Sequence, residues 1–310
     1  MGKIVRNGRE YTRAQMPGYV PLALRATSDK RGNHIDRKYL KLSDFQSIFA
    51  GMTAQDGYVQ TQENAGFHNS LYRGKDVSEY FENGSIYTKI SSGKFTDLYV
   101  GDYFNAEIGG AVHVCRIAGF DVHKNTGDTA LTQHTAVIVP DDALTSASMN
   151  ATDTTAGAFV GSSMFTTTIP SIDTVLVATF GSHLISHRLA FADSMVSSSP
   201  SRAYFGKSGI SSDAFSWATV KSMLMTEVEA FGGLACSSSG RDVGVGKVQF
   251  PIFYINPALL ITRNTNAYRV NWWLMALTST TQFACINTEG IPDALAASTV
   301  AAVRPYWLIG

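Results

Sequence analysis

The sequence closes on Val303-Arg304-Pro305-Tyr306-Trp307-Leu308-Ile309-Gly310, and this octapeptide limits the fold more than any other stretch. Chain ends fray into water unless something ties them down, yet this one has five large apolar side chains and only Arg304 charged. It must be covered by a sheet of the same domain, by a second copy of the chain, or by a larger assembly. Its apolar run reads as a strand.

Much of the chain after about residue 55 reads the same way. "AVHVCRIAGFDVH" and "HTAVIVP" alternate or run apolar between turn signals, and "VQFPIFYINPALLI", "YRVNWWLMALT" and "QFACIN" repeat the pattern in the last third. "IYTKISSGKFTDLYVGDYF" reads as strand broken by Gly93 and Gly101. Helix signals are fewer: Val77, Tyr80 and Phe81 before Gly84, and "DDALTSASM" with its leading acids. "SDAFSWATVKSMLMTEVEAFGG" suits a helix by its length and its closing Gly232-Gly233, but is strand-like in its second half. There is no internal repeat, and the Ser-rich stretch 193–202 is short enough for a surface loop. The expected class is α+β, one short-strand-rich head over 51–310 behind a small arm over 1–50.

Charge separates that arm from the head. Residues 1–44 carry ten Lys or Arg against four acids, although the whole chain is neutral with 25 of each. A basic arm on an acidic body suits docking on an acidic neighbour, or a solvated leader. Ile4 to Tyr11 alternates around Asn7-Gly8, a hairpin signal, and Ser43 to Phe49 suits a short capped helix. Only 16% of residues are charged, against roughly a quarter in ordinary soluble proteins, so no global field would hold a nucleic acid. No stretch approaches the roughly 20 apolar residues of a membrane span, and no secretion signal opens the chain, so no membrane insertion is expected. Cys115, Cys236 and Cys285 are far apart and read as buried thiols, not a disulfide framework.

Motifs for chemistry are weak. His183 and His187 have the i, i+4 spacing of a shared metal site, but Leu184 stands where a metalloprotease has its Glu, and the pair reads as polar positions on a half-buried helix. Asp121, His123, Asp128 and His134 cluster in "DVHKNTGDTALTQH", where turn residues explain most of the composition. "GRDVGVGKVQF" lacks the phosphate-loop spacing, and no Gly-x-Ser-x-Gly elbow occurs. No catalytic residue, metal or cofactor is assigned, and the chain is read as a non-enzyme. Trp272 and Trp273 are adjacent, so in a strand they face opposite ways: one for the core, the other a stacking platform, an oligomer anchor or a second buried face.

In order, "NSLYRGKDVSEYF", "ISSGKFTDLYVGDYF", "RIAGFDV", "GDTALTQHTAVIVPDDALTSASM", "QFPIF", "WLMALTSTTQFACINTEG" and "VRPYWLIG" resemble an uncharacterised domain of phage and prophage structural genes from Gram-positive bacteria. The chain departs from that pattern at Thr135 and Met275, where the domain has a His and an Arg. The closing motif also resembles the last strands of C-type-lectin-like folds, which implies a terminal strand inside the central sheet. "VRNGREY" and "GNHIDRKYLKLSDF" resemble attachment ends of phage fibre proteins.

These resemblances imply a virion structural protein, assembled in the host cytoplasm. Residues 1–50 would join other virion proteins, and a C-type-lectin-like head, as a homotrimer, would bind a host cell-surface glycan. The alternatives are a capsid head-fibre or decoration protein, or a cell-wall or glycan-degrading enzyme. The expected binding residues are Arg263, Asn264, Asn266 and Tyr268 in the loop 262–269, with Trp272 beside it: amide and guanidinium donors plus flat rings suit sugar hydroxyls and apolar sugar faces.

Overall fold

The ten residues Ala111–Phe120 form the longest strand among the described residues, and their burial shows how the sheet is built. His113, Cys115 and Ile117 face inward, Val112 faces solvent, and from Ile117 to Phe120 both faces are covered. The computed structural model describes residues 63–192, 215–237, 248–264 and 266–310, and the backbone of two short strands near the start. The chain divides into units Met1–Gln62 and Glu63–Gly310, where the sequence reading divided it at 50/51. In the first unit, β1 (Ile4–Arg6) and β2 (Arg9–Tyr11) pair antiparallel with Ile4 opposite Tyr11, as the Asn7-Gly8 signal predicts. The joint at 27–49, the serine-rich stretch 193–202 and the glycine-rich 240–247 lie outside the described residues.

The second unit is α+β. Along the chain come α1 (Ala65–Asn69), α2 (Ser78–Glu82), α3 (Ser85–Ser91), β3 (Tyr103–Ile108), β4 (Ala111–Phe120), β5 (Ala136–Pro140), β6 (Thr145–Ala147) and α4 (Ile169–Phe180). Next are β7 (Leu184–Ile185), β8 (His187–Ala192), β9 (Phe215–Val220), β10 (Ser222–Met223), α5 (Glu227–Phe231), α6 (Pro251–Ile255) and a 3-10 turn, Pro257–Leu260. The last are β11 (Thr262–Arg263), β12 (Arg269–Val270), β13 (Trp272–Leu277), β14 (Gln282–Ile286), β15 (Pro292–Ala296), β16 (Ala301–Val303) and β17 (Tyr306–Ile309).

Two sheets carry the core. The first runs β10-β17-β5-β4-β3, with β7 also against β17; the second runs β15-β14-β13-β16-β6. All pairings are antiparallel except β13 with β16. β5, β13 and β17 are buried at every position, which is why they read as unbroken apolar runs. The closing octapeptide is therefore a central strand: Trp307 stands opposite Ile138 on one side and Ser222 on the other. On α4, Ile169, Ile172, Leu176 and Phe180 are buried at helical spacing, and the helix packs on β3 and β10.

Several local expectations are corrected. "IYTKIS" is the helix α3, because Ile86 and Ile90, four apart, share one buried face. "DDALTSASM" holds strand β6 instead of a helix, since Thr145 and Ser146 pair with Val303 and Ala302. "PIFYI" and "PALL" are helical turns, each opened by a proline that a strand interior would exclude. In residues 215–232 the strands come first and helix α5 last, closed by Gly232 at φ 79°. Cys115 and Cys285 are buried free thiols, whereas Cys236 is partly exposed. Among the described residues no helix is long and apolar enough to cross a membrane.

Candidate functional site

Two of the chain's crossings between the two sheets lie together. Residues 141–144 lead from β5 to β6, and Arg304-Pro305 lead back from β16 to β17. Leu144 N–H donates to Val303 O at 3.1 Å, and Arg304 Nε donates to Pro140 O at 2.7 Å. The β11–β12 hairpin is fastened to this junction. Thr262 Oγ1 donates to Asp141 O at 2.9 Å, and Ala143 N–H donates to Arg263 O at 3.0 Å.

The hairpin loop is ordered from within. Asn264 Oδ1 accepts from the N–H groups of Asn266 (3.0 Å) and Tyr268 (3.1 Å), and Asn264 N–H donates to Tyr268 O at 2.9 Å. This is the amide-for-backbone substitution that makes Asn a turn residue. It leaves Asn266 and Tyr268 exposed, with 71% of Tyr268 accessible. Arg263 and Arg269 are also exposed and stand directly opposite each other across the hairpin.

Two clefts adjoin the hairpin. The larger, of about 530 Å³, has Arg263, Arg269 and Arg304 in its lining, with Val112, Leu259 and Ile261 as apolar wall. Asp141 and Asp142 also line it, but both are engaged. Asp141 takes Arg116 Nε (2.5 Å) and Nη2 (2.7 Å), and Asp142 takes His113 Nδ1 at 3.0 Å. The smaller cleft, of about 320 Å³, is uncharged and mixed, with Asn264, Asn271, Ser146 and Thr288 beside Val270 and Leu295 in its lining.

Arg304 is the residue the sequence reading passed over, although it is the only charge in its apolar octapeptide. It is 2% exposed, lies over Trp272 and Phe253, and gives its hydrogen bonds to two carbonyls, Pro140 O and, from Nη1, Leu259 O at 2.8 Å. Among the described residues no carboxylate lies within ion-pair distance of it and Nη2 has no protein partner. Burial lowers its pKa from 12.5 to about 10, which leaves it a cation at neutral pH.

Of the expected binding residues, Arg263, Asn264, Asn266 and Tyr268 share the hairpin. Trp272 is a correction. It is fully buried, with its indole N–H on Leu260 O at 2.8 Å, and Trp273 is equally buried with its N–H on Ala147 O at 2.8 Å. β13 lies between layers on both faces, so neither ring is a platform for a ligand.

The other candidate clusters separate. His183 sits in a 3-10 turn, stacks on Tyr87 at 3.6 Å and bonds Gly310 O through Nδ1, whereas His187 lies in β8 with Nε2 3.3 Å from Tyr306 Oη. They share no helix, contrary to the sequence reading. Asp121 and His134 do meet, at 2.6 Å with Lys124 alongside, but Asp128 pairs with Arg188 and His123 is buried against Tyr306. Thr135 and Met275, where the chain departs from the resembled domain, are both buried. Glu229 enters that interior cluster 4.0 Å from His123 Nε2, and burial followed by the Glu229 charge raises the Tyr306 hydroxyl well above its usual range. Its sequence signal is the capping box Thr226-x-x-Glu229. Among the described residues no group of three or more His, Cys, Asp or Glu is placed to hold a metal ion.

No family model, curated protein or solved structure matches this chain.

Proposed function

We propose that the protein is an exposed subunit of a phage virion, a fibre or adhesin that attaches through residues 1–50 and binds a host cell-surface glycan at the β11–β12 hairpin. The observation that carries this reading is the hairpin itself: an exposed ring and donor groups on a loop braced by Asn264 and anchored at the junction of two sheets, beside two clefts. Saccharide sites need little more, since sugars offer hydroxyls to amides and guanidinium groups and apolar faces to rings. The central position of β17 supports a C-type-lectin-like head, the fold that its closing motif resembles. A homotrimer on the particle would turn a weak single site into firm attachment through avidity.

A glycan array probed with the full chain tests the binding claim, and antibody labelling of the virion tests its place. Binding to at least one glycan class, weakened by Tyr268→Ala and Asn266→Ala together, is expected. A chain that binds no glycan and labels only the capsid surface would make it a decoration protein.

A further inference from the structure

The geometry points to the larger cleft as an oxyanion site, in which Arg263, Arg269 and Arg304 hold the carboxylate or phosphate of an acidic saccharide. This inference rests on the glycan-binding reading and names the class of glycan.

Charge accounting at the junction carries it. Arg263 and Arg269 are register partners in an antiparallel pair, the arrangement in which like charges repel most directly. Neither has a carboxylate within ion-pair distance among the described residues. Of the two acids that share the cleft, Asp141 is taken by the fork of Arg116 and Asp142 is hydrogen-bonded to His113, so the three guanidinium groups face at most one carboxylate that no arginine pairs with. Arg304 completes the set as a cation 98% removed from solvent, bonded only to carbonyl oxygens and with Nη2 unused. Asp141 and Asp142 attract Arg304 only from beyond ion-pair distance, so its guanidinium in the lining of the cleft can still hold a charged occupant.

The cleft also suits such an occupant physically. Val112, Leu259 and Ile261 give it apolar walls, which lower the local dielectric and strengthen attraction between an anion and three cations. Its volume, about 530 Å³, falls in the ordinary range for small-molecule sites. A planar guanidinium offers paired donors matched to two oxygens of a carboxylate or phosphate. Tyr268 and Asn266, exposed on the same hairpin, remain for the sugar ring that carries the acid.

The full chain is titrated calorimetrically with three probes: poly(glycerol phosphate), an oligogalacturonate and a neutral dextran oligosaccharide. At least one of the two acidic polymers is expected to bind, with affinity falling as salt rises, and the tighter of them tells phosphate from carboxylate. Arg263→Gln and Arg269→Gln should each weaken that binding about tenfold, and together about a hundredfold, with unchanged melting temperature because both side chains are exposed. Equal binding by the double variant, or failure of both acidic polymers to bind, overturns the inference. If only the dextran binds, or the array reports only neutral glycans, the oxyanion site falls and the adhesin reading stands. If no glycan of any class binds, both fall.

Discussion

The guanidinium of Arg304 lies 5.1 Å from the centre of the Trp272 ring, so a cation and an indole share one buried layer beneath the hairpin. Cation–π attraction of this kind recovers part of what desolvation costs. The fall in the Arg304 pKa from 12.5 to about 10 puts that cost on the order of 3 kcal/mol. Two charge-assisted bonds to Pro140 O and Leu259 O contribute about as much. The two effects nearly cancel, so Arg304→Met, of similar volume, should change stability by no more than about 1–2 kcal/mol. Arg304→Ala adds a cavity and should cost about 3–5 kcal/mol. Chemical denaturation of the two variants decides it: equal losses would show that the charge is kept for the fold and not for a ligand.

Trp307 gives a second contrast. It is fully buried in β17 with Phe180 at 5.6 Å, and its indole N–H is without a hydrogen-bond partner among the described residues. Trp307→Ala should cost about 3–5 kcal/mol, a large part of a domain's total of about 5–15. Trp307→Phe removes an unsatisfied donor together with some volume, and should cost less than about 2 kcal/mol. Thermal melts of both variants check this, and a phenylalanine variant as weak as the alanine one would count against it.

What could be read in the sequence follows from where burial is one-sided and where it is not. The unbroken apolar runs of β5, β13 and β17 announced central strands, and Asn7-Gly8 announced the first hairpin. The same two-sided burial hid the fate of Trp272, because alternation assigns faces but cannot say that both are covered. "IYTKIS" was misread because a β-branched, aromatic composition outweighed the i, i+4 spacing of Ile86 and Ile90. Arg304 escaped notice for another reason: its partners, Pro140 and Leu259, are distant in sequence and offer only backbone oxygens, which leave no side-chain signature. The loop 262–269 was legible as a polar stretch between strands, but the bracing role of Asn264 was not.

That role makes a third prediction. Asn264 Oδ1 accepts two backbone N–H groups of its own loop, from Asn266 and Tyr268. Asn264→Ala should free both amides to exchange faster with solvent, while global stability falls by less than about 1 kcal/mol, since water replaces the lost acceptor at an exposed loop. Asn264→Asp keeps an acceptor and should keep protection. Hydrogen exchange read at Asn266 and Tyr268 distinguishes them; unchanged protection in Asn264→Ala would mean that the strands alone hold the loop.

His68 sets a pH dependence whose sign can be worked out. Its ring is fully buried among Phe67, Phe95, Tyr99 and Phe120, with Nδ1 2.6 Å from Leu98 O and Nε2 without a partner. Burial lowers its pKa below 6.5, and the smaller effects of the Leu98 carbonyl, Glu63 and the Lys94 backbone, all of which raise it, do not restore it. A histidine held neutral in the fold is stabilising above its unfolded pKa. Below that value the unfolded chain takes up the proton first, so the contribution is lost as pH falls from 6.5 through the folded value. His68→Gln keeps a donor for Leu98 O but cannot titrate, so its stability should fall more gently than that of the wild type between pH 7 and pH 5, whatever its absolute value. Asp97 and Asp128 do not blur this comparison: the Tyr80 hydroxyl and then Arg73 hold Asp97, and Arg188 holds Asp128, below the usual carboxylate range, so they act at lower pH. Denaturation midpoints of the two proteins across that range provide the check, and parallel curves would show that His68 does not titrate on unfolding.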